Sequence, residues 1–385
     1  MFEEPKVYLK WTGKAVRGIT KGTLNSIKRE ADLLKPRWIL IMTTDLCNSR
    51  CTYCQIWENK KTHENLSPDE IKKILSDPVM KDVEYIINTG GEATTRTDIK
   101  EVLLAEHEVL PNAVLNLSTN ALLPDRAYEA VKAVLEAGAT VEATVSLDGI
   151  GSTHDELRGV KGNFEKVDYL INHYIELRSK HPKTLFLGIG SVLTDRTIPN
   201  LADVKKYCAE RGIQHTIAWY NSTPFYNNAG TVQEHLKEET IKIVQGMTPD
   251  LITEKWVKWL NNEPIKFKCF SLFDFCVIKS NGDVTPCLTH WNVVAGNVRE
   301  NSMSDIWTNK NPNMLEARKI VRNCSGCLNT WGGGWSWKTE QFPLISYFIR
   351  NPKVLKSRLK NEIKELNNRR KDKEGDFGDI PIGVG

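Results

Sequence analysis

Trp38-Ile-Leu-Ile-Met42-Thr-Thr-Asp-Leu-Cys47-Asn-Ser-Arg-Cys51-Thr-Tyr-Cys54 reads as a strand that runs into a loop of three cysteines. Trp38–Met42 is a short apolar run, as a buried strand requires. The cysteines follow at spacings of four and three. Three thiolates can hold three irons of a four-iron, four-sulfur cluster, leaving the fourth iron open to a small molecule. A structural zinc site instead wants four protein ligands, usually as two separated pairs. Three buried, inert thiols are the plainest alternative.

The 385 residues suffice for two domains and a substantial core. A hydrophobic share of 40% and a charged share of 26% are ordinary for a globular chain. The net charge of +4 does not announce a nucleic-acid partner. Neither a secretory signal nor a run of ~18 apolar residues is visible, so the expectation is a cytoplasmic protein. Of nine cysteines, eight fall in two groups, Cys47 to Cys54 and Cys269 to Cys327. In a reducing compartment, metal or cluster ligation is preferred to disulfides. Cys208 stands apart in a helical stretch and reads as a packed thiol.

Beyond the first loop, strand and helix patterns alternate. Strands are expected at Val83–Asn88, Ala113–Leu117, Val141–Leu147, Thr184–Val192 and Ile213–Trp219. Ser67-Pro-Asp-Glu70 is a capping box with proline at the first helical position. Six strand–helix repeats in about 180 residues argue for parallel strands with right-handed crossovers. A closed eight-stranded barrel usually needs ~250 residues. The expected fold is therefore α/β, a partial (β/α)6 TIM-type barrel. The Cys47 loop, Gly90-Gly91-Glu92, Ser118-Thr119-Asn120 and Asp148 all follow the C-terminal ends of expected strands. That edge is where parallel α/β folds bind ligands.

These motifs resemble the radical SAM superfamily. Its signature is C-x3-C-x2-C with an aromatic residue before the last cysteine, the place of Tyr53. The resemblance implies that Gly90-Gly91-Glu92 holds the amino group of S-adenosylmethionine through backbone groups. Ala93 stands where the family commonly has proline. Ser146-Leu-Asp148-Gly, followed by His154-Asp-Glu-Leu-Arg158, resembles the pattern whose arginine pairs with the methionine carboxylate, a task suited to a guanidinium. A surface salt bridge is the alternative for Arg158. Ser118 and Asn120 match a loop near the ribose and carboxylate.

A second group follows. Cys269 and Cys276 precede an Asn281-Gly282 hairpin signal, Cys287 ends the hairpin, and Cys324-Ser-Gly-Cys327 closes the set. It resembles the SPASM/twitch extension, a small α+β domain carrying auxiliary iron–sulfur clusters. Five cysteines limit this chain to one auxiliary [4Fe-4S] cluster. Cys269, Cys287, Cys324 and Cys327 are the first choice; Cys276 is an alternate ligand or merely packed. Structural zinc is the competing reading.

The expected divisions are a basic lead-in at 1–36, the barrel at 37–220, a helical connector at 221–265, the auxiliary domain at 266–335 and a tail at 336–385. Residues 350–373 of the tail carry ten Lys/Arg against three Asp/Glu, with Leu355, Leu359, Ile363 and Leu366 at helical spacing. A solvated helix is the plain reading. Contact with an anionic surface, such as the inner membrane face, is the sharper one.

The resemblance implies an enzyme that cleaves S-adenosylmethionine and abstracts hydrogen from an unactivated carbon. The expected outcome is oxidation or remodelling of a small-molecule, sugar or lipid substrate. A peptide maturase and a non-enzymatic metal-binding protein are the alternatives. An electron donor such as flavodoxin or ferredoxin is implied as a partner. No residue stands out as the catalytic acid or base.

Overall fold

The computed structural model describes residues 31–324, apart from 61–62, 195, 221–222, 227 and most of 229–268, together with a few residues of 24–29. Most of the expected lead-in and connector, Cys327, the Trp331–Trp337 segment and the basic tail lie outside the described residues. The chain divides into two units. One comprises residues 35–232 with 270–324; the other comprises 1–34, 233–269 and 325–384. In the second unit, the Arg29 guanidinium donates through Nε to the Cys269 carbonyl at 2.8 Å.

The first unit is built on one open sheet of nine strands. Six are parallel neighbours in chain order: β1 (Trp38–Thr44), β2 (Tyr85–Gly90), β3 (Val114–Thr119), β4 (Thr140–Ser146), β5 (Leu185–Leu193) and β6 (Gln214–Trp219). Helices α1 (Pro68–Leu75), α2 (Ile99–Val109), α3 (Pro124–Glu136), α4 (Ser152–Arg158), α5 (Asn163–Lys180) and α6 (Leu201–Glu210) join them. The observed strands agree with the expected runs to within two residues at each end. The capping box of α1 forms in full: Glu70 N–H donates to Ser67 Oγ, and Ser67 N–H donates to the Glu70 carboxylate.

Alternation along the strands sorts side chains to two faces. Ile39 and Ile41 of β1, Ile86 of β2 and Leu115 and Leu117 of β3 enter the core beneath the helices. The opposite face carries Trp38, stacked on Tyr85 at 4.5 Å, and a polar set of Asn116, Ser118, Glu142 and Thr144. The Tyr85 hydroxyl donates to Glu142, and Asn116 Nδ2 donates to Thr144 Oγ1 at 2.9 Å. Cys208 is 1% exposed within α6, and burial pushes its thiol up to about 11. This is the packed thiol its isolation in the sequence suggests.

The cysteine-bearing hairpin extends the sheet of the barrel strands. β7 (Phe275–Ile278) pairs parallel with β1, and β8 (Asp283–Thr285) and β9 (Gly296–Asn297) continue the same sheet antiparallel. β7 is buried throughout, so it satisfies the backbone of β1 and covers what would otherwise be an exposed edge. Two short helices follow, α7 (Met303–Ile306) and α8 (Pro312–Arg322). Among the described residues no helix is long and apolar enough to cross a membrane.

Candidate active site

The register of β1 against β2 slips between Met42 and Thr44. The irregularity ends the pairing and turns the chain into the cysteine loop. Two neighbours hold this loop through backbone hydrogen bonds. The first is the turn after β2. Gly91 N–H donates to the Thr44 carbonyl and Glu92 N–H to the Leu46 carbonyl, both at 2.8 Å. A Cβ on Gly91 would lie 2.3 Å from the Leu46 carbonyl oxygen, so the approach excludes any side chain. The second neighbour is the end of α4. Arg50 N–H donates to the Arg158 carbonyl and Thr52 N–H to the Leu157 carbonyl. Gly159, at φ +64°, passes so close to Arg50 that a Cβ would meet its carbonyl oxygen at 2.3 Å.

Ser49 ties the loop to its own sulfurs. Its N–H points at Cys47 Sγ at 3.5 Å, its hydroxyl lies 3.3 Å from Cys51 Sγ, and the hydroxyl also donates to the Arg158 carbonyl at 3.0 Å. Cys47, Cys51 and Cys54 are each half-buried. Burial pushes the Cys47 thiol up to about 12 and the Cys54 thiol up to about 11.

A single carboxylate organises the next layer. Asp148 is fully buried at the end of β4. Its Oδ2 accepts from Tyr53 OH at 2.6 Å and lies 2.8 Å from Arg158 Nε; its Oδ1 accepts from Val192 N–H at 2.9 Å. The Asp148 N–H donates to His154 Nδ1 at 3.1 Å. Burial pushes Tyr53 well above the usual phenol range. The Asp148 charge holds Arg158 above the usual guanidinium value, although burial opposes it. His154 is pushed down to about 4 by burial and then by Arg158, so it is neutral in the fold at ordinary pH. Arg158, expected to meet the methionine carboxylate, already has an ion-pair partner within the chain, and its Nη1 lies 3.8 Å from Cys51 Sγ.

Glu92 plays a comparable part at β2 and β3. Its buried carboxylate accepts from Thr94 N–H, Thr94 Oγ1, Thr119 Oγ1 and Asn120 N–H at 2.6–3.1 Å. Burial nevertheless raises it above the usual carboxylate range. Asn120 Nδ2 donates to Asn48 Oδ1 at 2.9 Å, linking the end of β3 to the cysteine loop. Ser118 spends its hydroxyl on Asn116 Oδ1, and Ser146 sits at the end of β4. Asn48 and Ser49 carry this geometry without a role assigned from the sequence, and His154, quoted there within the Arg158 motif, has none assigned either. Their signal was adjacency to a motif, which does not reveal a hydrogen bond.

The donor set fits a cluster better than a single ion. Among the described residues no three His, Cys, Asp or Glu side chains gather closely enough to hold one metal ion. Three soft thiolates spread along one loop, with a close-approach glycine turn beside them, suit several irons. In the second cysteine group, His290 N–H donates to Cys287 Sγ at 3.3 Å, and a hydrogen bond with Cys324 raises the His290 pKa. Cys276 lies on β7 opposite Ile39, fully buried, its thiol pushed up to about 12 by burial alone. That placement makes it a core side chain and counts against the alternate-ligand role.

The radical SAM superfamily model matches residues 41–205, and the SPASM iron–sulfur cluster-binding domain model matches 269–328. Together they cover more than half of the chain, which belongs to the radical SAM superfamily and carries a SPASM domain. Its cofactors are accordingly a [4Fe-4S] cluster with S-adenosylmethionine and auxiliary iron–sulfur. The chain is similar to the sporulation killing factor maturation protein SkfB of Bacillus subtilis (strain 168), with 25% identity over 79% of this chain and 73% of that one. It is also similar to an AdoMet-dependent heme synthase of Methanosarcina barkeri, with 23% identity over 76% and 91%. Among solved structures, Streptococcus suis SuiB bound to the precursor peptide SuiA shares the fold at a TM-score of 0.57. The identity there is 18%, over 77% of this chain and 70% of that one.

Proposed function

We propose that this enzyme abstracts hydrogen from an unactivated carbon of a peptide residue and completes an oxidation there. The observation that carries the reading is the cysteine loop held from both sides, by the Gly91–Glu92 turn and by Asp148, Tyr53 and Arg158. In this reading Cys47, Cys51 and Cys54 hold the first cluster. When bound, the cluster and S-adenosylmethionine supply a 5′-deoxyadenosyl radical.

The chain's own residues position and exclude. Backbone N–H groups of Gly91 and Glu92 are spent on the loop, so the turn offers carbonyl oxygens, the right polarity for an ammonium group. Arg158, steadied by Asp148, places positive charge beside Cys51 and offsets the charge of a thiolate loop. The Ser49 N–H points at the Cys47 sulfur. Tyr53 and Asn120 fix the loop against β4 and β3, while Ser118 and Ser146 present hydroxyls at the strand ends. Cys269, Cys287, Cys324 and Cys327 would hold the auxiliary cluster, which would supply an electron acceptor for an oxidation. A flavodoxin or ferredoxin delivers the reducing electron.

Sequence alone ranks a small molecule, sugar or lipid above a peptide as substrate. Similarity to a killing-factor maturation protein over most of the chain favours the peptide. Similarity to a heme synthase, spanning 91% of that relative, supports the small-molecule reading as the second. A deuterated cell extract, split into peptide and small-molecule fractions, separates the two. The peptide fraction should transfer deuterium into 5′-deoxyadenosine. Transfer from the small-molecule fraction alone would favour the second reading.

A further inference from the structure

Beyond the end of β1 lies a cavity of about 220 Å3, formed by the cysteine loop and its continuation, the loop after β6 and the β7–β8 turn. One wall is apolar, with Met42, Ile56 and the rings of Phe225 and Trp291, whose centroids are 5.2 Å apart. The facing wall holds a carboxylate, an imidazole and a hydroxyl in mutual contact. Ser280 Oγ donates to Asp45 Oδ1 at 2.7 Å; His63 Nε2 lies 2.9 Å from Ser280 Oγ and 3.2 Å from Asp45 Oδ2. Ser280 has one proton, and it is spent on Asp45. His63 Nε2 therefore carries a hydrogen and donates to this pair. Lys279 Nζ lies 4.4 Å above the Trp291 ring and 3.5 Å from Asp283 Oδ2.

This wall is costly to build. Ser280 is 1% exposed, while the Asp45 and His63 side chains are each 24% exposed, and a buried hydroxyl disfavours folding unless it is satisfied. It plays no part in the hydrogen bonds from Gly91, Glu92, Asp148 and Arg158 that hold the cysteine loop. Yet Asp45 stands two residues before Cys47, so the wall opens beside the radical chemistry. The cavity is smaller than the ~300–1,000 Å3 of sites for drug-sized ligands. That size suits one side chain. The oxygens of Asp45 and Ser280 are acceptors, so the matching group is a donor.

Resting on the peptide reading above, we propose that this cavity seats one amino-acid side chain of the substrate, hydroxyl- or thiol-bearing. Its carbon body lies on Phe225 and Trp291, and its O–H or S–H meets the Asp45–Ser280–His63 wall. The wall is satisfied within the chain, but the Asp45 carboxylate keeps further lone pairs, and a side chain without a donor forgoes the hydrogen bond they offer.

The test uses the reconstituted full chain with S-adenosylmethionine and no reductant, so that nothing turns over. The probes are N-acetyl methylamides of threonine against valine, serine against alanine and tyrosine against phenylalanine, followed by saturation-transfer NMR. The hydroxyl-bearing member of each pair should bind at least about tenfold more tightly. Ser280→Ala and His63→Phe should bring the ratios close to one with iron content unchanged. Equal binding within the wild-type pairs would overturn the proposal without recourse to any variant, as would ratios untouched by both substitutions. Discrimination supports the cavity assignment whether or not a peptide donates deuterium; the deuterium experiment tests the proposed function alone.

Discussion

Arg158 Nε lies 2.8 Å from Asp148 Oδ2, and both side chains are almost wholly excluded from solvent. The pair joins the end of β4 to the end of α4, and the α4 end carries the carbonyls that receive Arg50 and Thr52. Replacing Asp148 by Asn would leave a buried guanidinium without its counter-charge. Removing one member of a buried pair costs about 3–5 kcal/mol. Asp148→Asn should therefore lower the denaturation midpoint and cut iron incorporation at the first cluster. A variant with wild-type iron and wild-type stability would deny the pair its structural role.

Gly91 makes a sharper case, because the obstacle is steric. Gly91→Ala puts a carbon 2.3 Å from the Leu46 carbonyl oxygen, where backbone must move. The loop should shift and bind iron poorly, while Gly188→Ala, whose Cβ would meet Thr144 Oγ1 at an ordinary 3.5 Å, should leave iron content unchanged. The absorbance of the reconstituted clusters near the visible charge-transfer bands reads both.

Glu106 on α2 gives a pH signature away from the site. It is fully buried, accepts from Asn88 Nδ2 at 2.8 Å, and burial pushes it up to about 8. Its other oxygen and Asn88 Oδ1 have no partner, which a proton on Glu106 would supply. A folded pKa raised above the unfolded value means stability is greatest below about 4.5 and is lost as pH rises toward about 8. Glu106→Gln keeps the amide contact and removes the titration. The variant should be more stable than wild type at pH 8 by a few kcal/mol. Urea denaturation at pH 5 and pH 8 checks this; parallel curves for the two proteins would refute it. His154 works with the opposite sign: its depressed value costs stability as pH falls from about 6.5 toward about 4, which the variant comparison cancels.

The barrel was legible because its signals are local. Apolar runs, the Ser67 capping box and polar residues at successive strand ends can all be read within a few positions. The motif residues around Cys47, Gly91 and Asp148 could be placed at one edge for the same reason. What they touch could not be read. Arg158 looked available for a ligand, yet its partner Asp148 is brought to it by the α4 turn. Cys276 reads from the sequence as either an alternate ligand or a packed thiol, and strand pairing with β1 puts it in the core. The hairpin's attachment to β1 is a contact across more than 200 residues, beyond any periodicity. Asp45, His63 and Ser280 come from three separated segments, and no spacing connects them.

The most direct measurement is 5′-deoxyadenosine formation with an iron count, on protein purified without oxygen, reconstituted and reduced with dithionite. Two four-iron clusters predict about eight irons per chain and S-adenosylmethionine cleavage. Replacing Cys47, Cys51 and Cys54 by alanine should abolish cleavage and leave about four irons, while Cys276→Ala should leave the iron count unchanged. Cleavage that survives loss of the three cysteines, or fully loaded wild-type protein that cleaves no S-adenosylmethionine with or without peptide, would contradict the account.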